Sequence, residues 1–127
     1  MWTRIAVVAV GGALGATARY AVTGWVMRFF KGPLFPLGTL AVNVAGAFLL
    51  GLLMGATASG RWLAPPVLRI WIGVGILGGF TTFSTFTYET IEAVRLGNAR
   101  VALANVLLSL VCGIGACWLG LLLGDRL

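Results

Sequence analysis

The sequence predicts an all-α integral membrane protein with four transmembrane helices, the third broken near its centre. Three observations predict it. The 127-residue chain is 60% hydrophobic and 9% charged, where soluble domains run at roughly 45–50% and about 25%, and its mean hydropathy is +1.03. Its apolar residues gather into four runs, each of about the 20 residues that cross a bilayer. The third run carries, at its middle, the stretch Gly78-Gly79-Phe80-Thr81-Thr82-Phe83-Ser84-Thr85-Phe86-Thr87, which a continuous membrane helix would avoid.

The four spans take up a single membrane domain, 1–127, at about 5–27, 37–58, 65–94 and 99–124. The first contains Arg19. Its opening, with Arg4, an apolar run and Ala16-Thr17-Ala18, imitates a signal peptide, but the apolar run resumes at Tyr20 and reaches Met27, a full span. Short connectors follow the first three spans: Arg28 to Pro33, Ser59-Gly60-Arg61, and Arg95 to Asn98. Each holds the basic, Gly or Pro punctuation expected where a span meets water. The spans should be helical, because lipid offers no partner for an unpaired backbone group.

Composition excludes several function classes. Three carboxylates and no His remove the paired acids and imidazole bases of hydrolytic chemistry, so no enzyme is predicted. Cys112 and Cys117 point about 140° apart on a helix and suit neither a disulfide nor a metal; they read as small apolar filler. The net charge of +6 is scattered singly through apolar sequence, which favours anionic headgroups of the lipid bilayer and not nucleic acid. With both termini on one side, that side holds Arg4, Arg61, Arg69 and Arg126, and the other Arg28, Lys31, Arg95 and Arg100. The positive-inside rule then has nothing to act on. Insertion in both orientations, and pairing with an inverted copy, is the expectation.

Small residues mark where helices meet. Gly11/Gly15, Gly51/Gly55, Gly75/Gly79 and Gly120/Gly124 are each four apart, the spacing that permits close approach of membrane helices. Thr39, Asn43, Ala47, Gly51 and Gly55 share one stripe of the second span; Asn105, Ser109 and Gly113 share one of the fourth. Polar groups at such depth face protein or a water-filled path, and four helices leave little room to enclose one alone. In the third span, two glycines and a run of hydroxyls both weaken helix. A break there frees backbone carbonyls, which suit a cation such as Na⁺ or K⁺.

Three motifs, Gly11-Gly12-Ala13-Leu14-Gly15-Ala16-Thr17-Ala18-Arg19-Tyr20, the Pro36 to Phe48 segment (PLGTLAVNVAGAF) and Gly78-Gly79-Phe80-Thr81-Thr82-Phe83-Ser84-Thr85-Phe86, resemble the Fluc (CrcB) fluoride channels in content and order. The resemblance extends over the whole chain. It implies an antiparallel, dual-topology homodimer of four-helix subunits in the bacterial plasma (inner) membrane. Two fluoride pathways would flank one structural sodium ion, and cytoplasmic fluoride would leave by passive electrodiffusion, giving fluoride resistance. By the family pattern the sodium falls on the backbone carbonyls of Gly78 and Thr81. The pore phenylalanines correspond to Phe83 and Phe86, the pore asparagine to Asn43, the fourth-span serine to Ser109 and the first-span arginine to Arg19. Asn105 stands where relatives carry Tyr, and Gly113 where some carry a second Ser.

The residue chemistry is compatible with that implication. Fluoride loses strong hydration on entering a membrane and needs replacement donors. The Asn43 amide and the hydroxyls of Ser84, Ser109 and Thr39 donate hydrogen bonds without fixed charge, and ring edges of phenylalanine carry positive potential. The alternative is a small dual-topology multidrug or cation exporter. Such an antiporter needs an embedded carboxylate, yet the first span has none and Glu89 and Glu92 fall near the end of the third.

Overall fold

The computed structural model describes residues 1–30, 35–58, 60 and 65–127; Lys31, Gly32, Pro33, Ser59 and Arg61 of the expected connectors lie outside them. The regular structure of the described residues is helical: α1 (Trp2–Phe29), α2 (Leu37–Ala58), α3 (Pro66–Ile70), a π-helical segment (Trp71–Leu77), α4 (Gly78–Phe80), α5 (Phe83–Arg95) and α6 (Ala99–Gly124). From α3 to α5 the chain makes one interrupted span, Pro66–Arg95, so four units are long and apolar enough to cross a membrane. Pro65 and Pro66 open the third, where a missing N–H costs nothing. Between α5 and α6 the chain turns on Gly97, whose φ of +78° is left-handed.

Glycine brings the backbones together at two seams. At the first, α2 packs along α6, the most extensive contact in the chain. A Cβ on Gly51 would strike the carbonyl oxygen of Cys117, on Gly55 that of Leu121, on Gly120 that of Phe48, and on Gly124 that of Leu52. Each obstacle is backbone, so no side-chain rotation relieves it.

The second seam joins α1 to the third span, which runs parallel to it. Here a Cβ on Gly11 would meet Trp71 O at 2.8 Å and Gly75 Cα at 2.9 Å; one on Gly15 would meet Ile76 O and, at 2.8 Å, Phe80 N. Thus α1 advances four residues while its partner advances five, from Trp71 to Ile76 and from Gly75 to Phe80. The π-helical segment, with its wider turn, absorbs the extra residue. Nothing in the run Trp71 to Leu77 marks it locally.

The third span breaks where two threonines become extended: Thr81 at φ −86°, ψ 157° and Thr82 at φ −148°, ψ 114°. The glycines before them stay helical, with Gly78 at φ −63°, ψ −36°. So it is Thr81 and Thr82, and not the Gly pair, that leave helical geometry. Gly79 serves packing instead, since a Cβ there would meet Gly12 O at 2.6 Å.

Candidate functional site

The break is held from outside its own span. Asn43, on α2, donates from Nδ2 to the carbonyl of Thr82 at 3.0 Å and accepts the Thr82 N–H on Oδ1 at 2.7 Å. One amide side chain thereby satisfies both backbone groups of an extended residue, as a neighbouring strand would. One turn further along α2, Gly46 leaves the space that the Thr81 methyl fills.

Side chains also divert the hydrogen bonds a continuous helix would make. The Thr82 N–H, which would bond Gly78 O, goes to Asn43. The Thr85 N–H, which would bond Thr81 O, goes to Thr82 Oγ1 at 3.2 Å, so Thr82 caps α5. The carbonyls of Gly78 and Thr81 are therefore both released from the ladder. Thr81 Oγ1 meanwhile donates to Leu77 O at 3.1 Å. A recess of about 340 Å³ lies against the break, lined by Asn43, Gly46, Leu77, Gly78, Thr81 and Phe83 among others.

That recess opens on the outside of the single chain. Gly78 is exposed, and Phe83 is 77% exposed. Phe83 and Phe86 sit side by side, ring centroids 5.7 Å apart and planes tilted by 44°. Ser84 is exposed beside them, its Oγ 3.3 Å from Thr82 Oγ1. The break thus brings Asn43, Thr81, Thr82, Phe83, Ser84 and Phe86 together, all but Asn43 from one short segment.

Ser109 belongs to a second cluster. Its hydroxyl lies 3.5 Å from Asn105 Oδ1, Asn105 Nδ2 donates to Thr90 Oγ1 at 2.9 Å, and Thr90 donates to Phe86 O at 2.7 Å. This chain ties the fourth span to the helix that carries Phe86. Asn105, only 1% exposed, is its hub. Arg19 stays half-buried on α1 and pairs with no carboxylate among the described residues.

Glu89 joins the site although none of the sequence motifs includes it. Thr39 Oγ1 donates to Glu89 Oε1 at 2.8 Å, so the Thr39 hydrogen is already committed. Oε2 of Glu89 is buried with no hydrogen-bond partner among the described residues. The signal was available: a carboxylate at membrane depth, one turn beyond Phe86, is a functional candidate by cost alone. Near it, a recess of about 220 Å³ lined by Met27, Phe35, Pro36, Tyr88, Glu89 and Glu92 among others opens at the α5–α6 end.

The polar side chains occupy one half of the membrane. Thr17, Arg19 and Thr23 lie in the later half of α1, Thr39 and Asn43 early in α2, Thr82 to Thr90 after the break, and Asn105 and Ser109 early in α6. Because successive spans alternate in direction, all of these point to the same face. The other half of each span is apolar but for residues near its tip, namely Thr3, Arg4, Thr57 and Arg69, and for Cys112 and Cys117.

Comparison with known proteins places this arrangement. Residues 6–121 match the family model described as CrcB-like protein, Camphor Resistance (CrcB). The chain belongs to the CrcB/FluC fluoride channel family. It is 49% identical over 92% of its length to the fluoride-specific ion channel FluC 1 of Symbiobacterium thermophilum, covering 94% of that protein. It is 46% identical to the FluC of Geotalea uraniireducens, over 94% of this chain and 95% of that one. To the FluC of Geobacter metallireducens it is also 46% identical, over 97% and 98%. Four spans and an interrupted third accord with that membership.

Proposed function

We propose that this protein conducts fluoride passively across a bacterial plasma membrane and so lowers cytoplasmic fluoride. The observation that carries the reading is the match, over nearly the whole chain, to proteins named fluoride-specific ion channels. The geometry supplies the means. An anion stripped of water needs donors that bind it and still release it. The second N–H of Asn43, the hydroxyls of Ser84 and Ser109, and the edges of Phe83 and Phe86 are such groups, all uncharged. Thr39 acts through Glu89, and Arg19 raises the local potential for an anion.

The functional unit is an antiparallel homodimer of two inverted copies. Polar side chains confined to one half of the membrane make half a pathway in each protomer. An inverted copy supplies the other half, and its surface covers the exposed break. Two such pathways result. The balance of basic residues between the two faces supports insertion both ways.

Sodium belongs at the breaks of the two protomers. The released carbonyls of Gly78 and Thr81 form the neutral oxygen set that a monovalent cation takes, and the exposed position of Gly78 leaves room for a second copy to contribute the same pair. When bound, the ion supplies positive charge and a bridge between subunits. The exporter reading has Glu89 as its one carboxylate near the site, and none of the relatives named above is described as an exporter. The test is efflux from fluoride-loaded liposomes, followed with a fluoride electrode and repeated with chloride. Fluoride efflux without chloride efflux supports the proposal, and equal or absent efflux sinks it.

A further inference from the structure

We infer that Asn43 is a positioning residue that keeps the Gly78 carbonyl out of the helix, and so sets the cation site as well as facing the pathway. The inference rests on the sodium reading above and adds to it a cause for the break. Threonine is a residue that can adopt helical backbone angles, though Thr82 here does not. What holds it extended is the pair of bonds from Asn43, at 2.7 and 3.0 Å.

The competing partner is named by the geometry. Thr82 N–H has two possible acceptors, Asn43 Oδ1 and, in a regular helix, Gly78 O. As long as Asn43 holds it, Gly78 O has no backbone donor and is available to a cation. Remove the amide, and the least costly way to satisfy the N–H in an apolar setting is the carbonyl four residues back. The helix then extends through the break, and a ligand is lost without any change in the residue that bears it.

The same two bonds fix the amide's orientation. With Oδ1 facing the Thr82 N–H and one Nδ2 hydrogen on Thr82 O, the second Nδ2 hydrogen has a defined direction, available to an anion. A single side chain thereby couples the cation site to the anion path. Loss of flux in an Asn43 variant does not by itself separate these roles; the Na⁺ dependence does.

The experiment compares wild type, Asn43→Ala, Asn43→Asp and the packing control Leu53→Ala, a buried α2 residue outside the recess at the break, all as full-length protein in detergent. Thermal unfolding is followed while NaCl replaces N-methylglucamine chloride at constant ionic strength. The Thr82 amide is followed by ¹H–¹⁵N NMR, and fluoride flux by electrode. Asn43→Ala is expected to raise the Na⁺ concentration for half-maximal stabilisation at least tenfold and to move the Thr82 amide signal. Asn43→Asp keeps the acceptor of the Thr82 N–H and loses the bond to Thr82 O, so its Na⁺ midpoint rises no more than threefold, while a fixed negative charge abolishes flux. Leu53→Ala lowers the unfolding temperature without moving the midpoint. An Asn43→Ala protein with lost flux but a Na⁺ midpoint and Thr82 signal like wild type overturns the inference, leaving Asn43 a pathway ligand alone. If Asn43→Ala does not fold, a Na⁺ midpoint raised tenfold in Asn43→Asp, where the acceptor is kept, overturns it equally. A wild type whose unfolding ignores Na⁺ refutes the sodium reading instead, and the Thr82 signal then decides the Asn43 role by itself.

Discussion

Gly78 and Gly79 are adjacent, both helical, and should fail differently. At Gly78 the backbone is ordinary helix, and the nearest atom to an added Cβ is Gly73 O at 3.8 Å, a normal contact. At Gly79 the same Cβ meets Gly12 O at 2.6 Å and Gly12 Cα at 3.0 Å, both backbone. Replacement by Ala carries the same helix-propensity gain at either place, about 1 kcal/mol on aqueous scales, so that term cancels between the two variants. What remains is the overpacking at Gly79, about 1–3 kcal/mol. Denaturant unfolding of the dissociated protomer in detergent should therefore find Gly79→Ala less stable than Gly78→Ala by that amount. Gly78→Ala should leave the protomer sound yet reduce the dimer fraction, read by light scattering, because the added methyl projects from an exposed position beside the released carbonyls. Equal protomer stabilities would refute the packing of α1 on the third span. An undisturbed dimer and full flux in Gly78→Ala would refute the placing of Gly78 at the subunit contact.

Other expectations follow from the same geometry. Phe83→Ile and Phe86→Ile keep apolar bulk but remove the ring edge; the dimer should persist while fluoride flux falls at least tenfold, and unchanged flux in both would make them packing residues. Thr81→Ala keeps the carbonyl and removes the hydroxyl bonded to Leu77 O and the methyl packed on Gly46, so it should cost less flux than Gly78→Val; the reverse order would make the side chain the ligand. In a background with Cys112 and Cys117 replaced by Ala, Phe30→Cys should react with impermeant maleimide on roughly half the chains from each side of the membrane. One-sided labelling would exclude the inverted pair.

Much of the fold was legible because membrane crossing is a matter of length and apolarity. The second span, given as 37–58, is the helix Leu37–Ala58, and all four Gly pairs sit at the close seams they suggested. The break was legible as a region but not as a residue. Glycine looked like the weak point, yet a Gly inside a membrane helix is harmless where nothing competes for its neighbours' bonds. The threonines yield because Asn43, from another span, offers their backbone a better partner. The π-helical segment was invisible for a related reason: it answers a mismatch between two packed helices, which no single segment records. The Thr90–Asn105–Ser109 chain was half read, since the stripe on α6 was plain while its partner on α5 requires knowing how the two helices face.

The central claim is selective fluoride conduction, and the reversal potential of the purified protein in a planar bilayer tests it most directly. With both anions present on both sides in opposing gradients, the current should reverse near the equilibrium potential for fluoride and be unmoved by changing chloride. Reversal that follows chloride, or a bilayer that carries no current at any fluoride gradient, would contradict it.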